Sequence, residues 1–131
     1  MSYVPATTRL PEWLDRALRV FWEERAEGPS VGLRRSIEEW WALQQFPAIE
    51  FRDGVTGRRA GLRGGPDIWE IVGVARDLGH DLNQLARHFG ERLDRGALGQ
   101  ALAYAERFPD EIQAWIAEND RVARFLRRHT G

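Results

Sequence analysis

Proline and glycine cut this chain at a few fixed places, and the cuts limit what it can become. Breakers stand at Gly28-Pro29, Pro47, Gly54, Gly57, Gly64-Gly65-Pro66, Gly79, Gly90 and Pro109. Proline fixes φ and removes a donor, and glycine ends helices cheaply, so each site closes one element and opens another. Most segments between the breaks carry apolar residues at helical spacing, and one alternates as a strand does.

In "YVPATTRL", Val4, Thr7 and Thr8 favour extended backbone while Pro5 deletes a ladder donor, which predicts a short or edge strand over 3–10. Pro11 suits the first turn of a helix carrying Leu14, Ala17, Leu18 and Phe21. "EGPS" at 27–30 ends that helix, and Ser30 is placed to cap a second one with Leu33, Ile37, Trp40, Trp41 and Gln44 on one side. Ile49 and Phe51 alternate with Glu50 and Arg52, "DGVTG" signals a turn and "RRAGLR" can return, so a hairpin is expected over 48–63.

The remainder reads as helix. Asp67 can cap one that carries Ile68, Ile71, Val72 and Ala75 and ends near Gly79. Asp81 caps "LNQLARHF", with Leu82, Leu85 and Phe89 on one face and Gly90 as its stop. "LDRGALGQALAYAERF" follows with Leu98, Ala101, Leu102 and Ala105. After Pro109 a last helix directs Ile112, Trp115, Ile116, Val122 and Phe125 or Leu126 inward. Spacing against Ile68, Ile112 and Leu102 makes Trp69, Trp115 and Tyr104 core side chains. Two parts are expected, 1–45 and 46–131.

Composition narrows the chemistry. The chain has 131 residues and no cysteine, which excludes disulfides, thiol catalysis and thiolate metal cages and suits a reducing cytoplasm. No apolar run approaches the roughly 20 residues of a membrane span, and "MSYVPATTRL" lacks the apolar core of a secretory signal. Six tryptophans give a small core, or an oligomer interface, a large apolar area. Every basic residue is arginine, and the net charge is −1. Residues 46–66 hold four arginines against two acids, so any nucleic-acid contact depends on local arginine placement or on dimerisation.

No catalytic constellation stands out. His80, His88 and His129 lack the spacing of a helical metal pair, and "GLRGG" lacks the Gly-Lys-Ser/Thr end of a phosphate loop. No Ser-His-Asp set or paired carboxylates appear, so no enzyme activity, metal or cofactor is expected.

Residues 5–41 resemble a ribbon-helix-helix DNA-binding domain: a short strand ending "TRLP", a helix, a glycine-containing turn, and a second helix opening "SVGLRRSIEEWW". The resemblance implies two chains pairing their strands into a ribbon that enters the major groove. Thr7 and Arg9, two apart, would share the face that reads base edges. Ser30 would sit where the second helix's amides hold a phosphate. Read without the resemblance, the same residues are an arm and two amphipathic helices that pack or dimerise.

Residues 48–119 resemble the family known as domain of unknown function 433, within the VapB-type antitoxins. The residues that carry this are Gly57-Arg58-Arg59 in the hairpin, Trp69-Glu70, Ala101-Leu102-Ala103-Tyr104 and Pro109-Asp110-Glu111-Ile112. The family's Gly-Thr-Arg is replaced here by Gly64-Gly65-Pro66-Asp67. The resemblance implies a helix-turn-helix whose second helix spans Ala97–Phe108. Ala86 and Gly90 would supply its tight crossing, and Arg92, Arg95 and Gln100 would face DNA. Gly96 and Gly99 cost a helix interior roughly 1 kcal/mol each relative to alanine and suit close packing, so the helix either reads DNA or serves structure and dimerisation.

The expected fold is mainly α: a ribbon-helix-helix-like N-terminal part, a β-hairpin, then a helix-turn-helix-like bundle. The resemblances imply an antitoxin, homodimeric because half a ribbon needs a partner. It would bind a PIN-like ribonuclease toxin and, with it, operator DNA, without a membrane. Alternatives are a stand-alone DNA-binding regulator and a dimeric interaction module without nucleic acid. From Arg121 to His129, Val122, Phe125, Leu126 and His129 form an apolar-leaning stripe flanked by Arg121, Arg124, Arg127 and Arg128. This stretch either packs on its own dimer or lays Phe125 and Leu126 into the toxin. In the second case Arg121, Arg124 or Arg128 reaches the carboxylate cluster that PIN-like enzymes carry, as the resemblance implies.

If the ribbon reads DNA, Arg9→Ala weakens specific binding by about 1–3 kcal/mol in a gel-shift titration and leaves the dimer intact. Unchanged operator affinity would sink the ribbon.

Overall fold

The computed structural model describes residues 2–90 and 92–130. It holds six helices and one antiparallel hairpin: α1 (Glu12–Glu24), α2 (Pro29–Gln45), β1 (Ile49–Gly54), β2 (Gly57–Leu62), α3 (Ile68–Asp77), α4 (Leu82–His88), α5 (Arg95–Arg107) and α6 (Pro109–Thr130). The chain is thus mainly helical with a small two-stranded sheet, as expected. None of the described helices is long and apolar enough to cross a membrane. Two compact units divide inside α2, Met1–Trp40 and Trp41–Gly131, whereas the sequence placed the boundary at 45.

The first unit pairs α1 with the start of α2. Trp22 is its one buried large apolar side chain. The indole lies on Gly32, where an added Cβ would stand 2.4 Å from Trp22 Cγ. Trp22 Nε1 donates to Ser36 Oγ (3.1 Å), and Ser36 Oγ donates back to the Gly32 carbonyl. Arg35 is clamped between Glu27 and Glu39, and those hydrogen bonds outweigh burial, holding its guanidinium firmly charged. Three expectations change here. Residues 2–11 form no strand, because Pro5 lacks a donor and a single arm has no neighbour to pair with. Ser30 is not a cap: α2 starts at Pro29, and Gly32 N–H already bonds the Gly28 carbonyl, so Ser30 is an exposed first-turn residue. The stripe of Leu33, Ile37 and Trp40 faces solvent, with Ile37 58% and Trp40 62% exposed.

The second unit has its own core. Ile49 and Leu62 of the hairpin meet Ile68 and Ile71 of α3, Leu85 of α4, Leu98 of α5 and Ile112 of α6, all buried. The register pairs Ile49 with Leu62 and Gly54 with Gly57, leaving Val55 and Thr56 as a two-residue turn with Gly57 at φ 134°. Tyr104 is buried among Phe46, Phe51 and Phe108, and its hydroxyl donates to Glu111 (2.7 Å). Asp81 accepts from Gln84 N–H, and Asp94 caps α5 by accepting from Ala97 N–H. Gly79 and Gly90, both at positive φ, follow the ends of α3 and α4.

Here too the sequence reading needs correction. Tyr104 is core, but Trp69 and Trp115 are only half-buried. Val122, Phe125 and Leu126 are exposed rather than inward, because α6 outruns the elements it packs on. Gly99 meets nothing within 4 Å of an added Cβ, and Gly96 meets only the capping Asp94 carboxylate, so neither serves close helix packing.

Gly32→Ala should destabilise the first unit by about 1–3 kcal/mol by driving Trp22 off α2. Loss of the tryptophan's buried fluorescence ahead of global melting would register it; an unchanged melting profile would contradict this packing.

Candidate functional site

The hairpin register sets Arg52 of β1 directly opposite Arg59 of β2. Like charges so placed repel. The chain answers with Asp67, the residue before α3, which is 7% exposed. Its Oδ1 lies 3.3 Å from Arg52 Nε, its Oδ2 contacts Arg59 Nε, and Trp69 Nε1 donates to Oδ2 at 3.2 Å. Both arginine Nε atoms are buried and face the carboxylate at ion-pair distance without the alignment of a hydrogen bond. Arg52 Nη2 also donates to the carbonyls of Leu62, Gly65 and Pro66, which ties the loop before α3 to the sheet. Asp67 occupies the N-cap position of α3 but makes no side-chain cap bond. The expected cap is replaced by this clamp. Only the strand register, which pairs two arginines, signals it in the sequence.

Beside the clamp is an open pocket of about 340 Å³ between the hairpin turn, the start of α3 and α6. Trp69, Trp115, Glu70, Glu118, Val55 and Val122 line it together with Arg59 and Asp67 of the clamp. Trp115 lies over the turn, 3.6 Å from where a Cβ on Gly57 would be. Burial raises the Glu70 carboxyl above its usual range and the Asp67 charge adds to this, against the pull of Arg52 and Arg59. Glu118 is held low by its hydrogen bonds from Arg121.

The residues expected to touch DNA are divided between the two units. Thr7 and Arg9 are exposed on the arm, and Ser30 is exposed on α2. Arg92 is exposed between α4 and α5, and Arg95 opens α5 in solvent. Gln100 is turned inward: its Oε1 accepts from Ala48 N–H at 2.8 Å, which fixes α5 to the entry of β1. That bond satisfies a backbone donor at half-buried Ala48 and takes Gln100 out of any base-reading role. On α6, Arg121, Arg124, Phe125, Leu126 and Arg128 are all exposed. Phe125 stacks on His129 (4.1 Å between ring centres), and Arg121, Arg124 and Arg128 border these rings. No group of three or more potential metal ligands occurs among the described residues.

No family model, curated protein or solved structure matches the chain.

Asp67→Ala leaves two facing arginines without their carboxylate. Breaking such a pair costs about 3–5 kcal/mol when fully buried, and partial solvation of the arginines lowers this to about 2–3 kcal/mol. An unchanged denaturant midpoint would show that the clamp is dispensable. Glu70 titrates the other way. Its raised folded-state pKa adds stability below the unfolded value, and that contribution is lost as pH rises through the folded one. Glu70→Gln should therefore raise the melting temperature at pH 7, with the gain vanishing below about pH 4. A variant less stable than the parent at pH 7 would contradict the sign.

Proposed function

We propose that the chain is the antitoxin of a toxin–antitoxin pair, a homodimer that contacts operator DNA through its arm and holds a PIN-like ribonuclease toxin with the C-terminal half of α6. The observation that carries this reading is the uncovered stripe on α6. Val122, Phe125 and Leu126 are 41%, 55% and 52% exposed. Keeping three large apolar side chains in water forgoes roughly 25 cal/mol for each Å² that a partner would cover. Their spacing is that of anchors on a helix laid into a groove, and the arginines around them suit a partner with an acidic pocket.

The N-terminal unit supports the DNA half. An exposed arm without regular secondary structure leads into a 13-residue helix, a turn and a 17-residue helix, the helix order that the ribbon-helix-helix resemblance implies. Free backbone donors and acceptors on an extended segment are satisfied by a second copy. A unit of this size without disulfides or metals usually relies on association, and exposed Trp13, Val20, Ile37 and Trp40 supply apolar surface for it. Of the two candidate DNA elements, we favour the arm. The outer face of α5 offers Gly96, Ala103 and Glu106, and its C-terminal Arg107 lies over Trp41 and Phe108. A stand-alone regulator would leave the α6 stripe without a use.

The test is co-expression with a PIN-like ribonuclease toxin, the first candidate being any such reading frame found adjacent to the gene. The full chain should rescue growth. Deleting residues 121–131 should abolish rescue while leaving operator binding by the free protein within a few-fold. Full neutralisation by the truncated chain, or loss of DNA binding instead, would overturn the reading.

A further inference from the structure

We propose that the pocket between the hairpin turn, α3 and α6 binds an organic cation, a guanidinium or ammonium group, with Trp69 and Trp115 as its walls and Glu70 as its counter-ion. The site borders the α6 stripe, sharing Val122 with it, but its cation-binding side chains are not those of the stripe and the inference does not depend on the antitoxin reading. Indole rings attract cations through their quadrupole, and two of them line one cavity here.

The carboxylates around the cavity are unevenly supplied. Asp67 already holds Arg52 and Arg59, and Glu118 holds Arg121. Glu70 lines the same wall with no arginine paired to it among the described residues. Arg59 cannot swing over to serve it. Its guanidinium occupies the space a Cβ on Gly54 would need, and Asp67 holds its Nε. Glu70 is therefore a carboxylate on the pocket lining that an arriving cation can pair with.

The chemistry favours an organic over an inorganic cation. A hard divalent ion wants six or more oxygen ligands, and the lining mixes the oxygens of Glu70, Glu118, Thr56 and Asn119 with two indoles, two valines and the Arg59 guanidinium, while no group of three potential metal ligands occurs among the described residues. A guanidinium or alkylammonium group satisfies both surfaces at once, its charge toward Glu70 and its flat or methylene face on the rings. A cavity of about 340 Å³ admits one such group together with a short aliphatic stem.

The test is titration of the full-length protein, followed by the indole Nε1–H cross-peaks of Trp69 and Trp115 in proton–nitrogen correlation spectra. Trp69→Phe and Trp115→Phe assign the peaks. Two probes are used: agmatine, a free guanidinium, and a blocked Gly-Arg-Gly tripeptide, a side-chain guanidinium. Saturable shifts of both peaks are expected. Saturation by agmatine marks a small-molecule site, and saturation by the tripeptide alone marks a docking site for a protein side chain. Glu70→Gln, an exposed and conservative change that keeps the fold, should weaken binding about three- to fivefold. The proposal is overturned if neither probe gives a saturable shift, if Glu70→Gln binds with unchanged affinity, or if a neutral alcohol of agmatine's size binds equally well.

Discussion

One carboxylate between two arginines organises the larger unit. Antiparallel pairing puts Arg52 against Arg59, and the hairpin is acceptable only because Asp67 sits between them. Asp67 also makes a bridge to Gly61 and precedes the first turn of α3, so a single residue joins both strands to the helix that fills the core. A buried ion pair is a modest source of net stability, since desolvation offsets attraction. What it supplies is geometry. It also explains two glycines: a Cβ at Gly54 would strike Arg59 Nη1, and one at Gly61 would strike Arg52 Nη2. Glycine at these two positions leaves the space that the two guanidinium groups occupy.

The clamp decides what is left over nearby. With Arg52 and Arg59 committed to Asp67, Glu70 keeps its charge without an arginine of its own. The first half of α6 buries Ile112 and lays Trp115 over the hairpin turn. Its second half runs on without a neighbour to receive Phe125 and Leu126. One helix thus serves two purposes, packing at its start and presenting side chains at its end.

Much of this was legible in the sequence where a local rule decides. The hairpin limits followed from alternation and "DGVTG", the Asp81 cap from its place before an apolar period, and the stop of α4 from Gly90. The failures came where a tertiary partner decides. Ser30 has the composition of a cap, but Pro29 at the first helical position moves that role back to Gly28. Gln100 has the composition of a base reader, yet Ala48, 52 residues away in sequence, claims it. Helical periodicity on α6 identified an apolar stripe correctly and could not say whether anything covers it. The Asp67 clamp was hidden for the same reason, since a cap and an ion-pair hub look alike until the register is known.

The two units solve the problem of a small core differently. The second gathers apolar side chains from five helices or parts of helices and a hairpin, so it carries its own stability. The first has the Trp22–Gly32 contact, the Arg35 clamp and little else inside, while eight large apolar side chains among its described residues are exposed. Cross-linking is closed to it because the chain has no cysteine. The association we propose would cover that surface, and it would have an electrostatic consequence. At a net charge of −1 the whole chain exerts little long-range pull on an anionic partner. Two arms brought together would place two copies of Arg9 and Thr7 on one ribbon, concentrating positive charge that neither chain has alone. In the proposed homodimer, dimerisation and nucleic-acid contact would be a single event, in which covering the apolar face assembles the charged one.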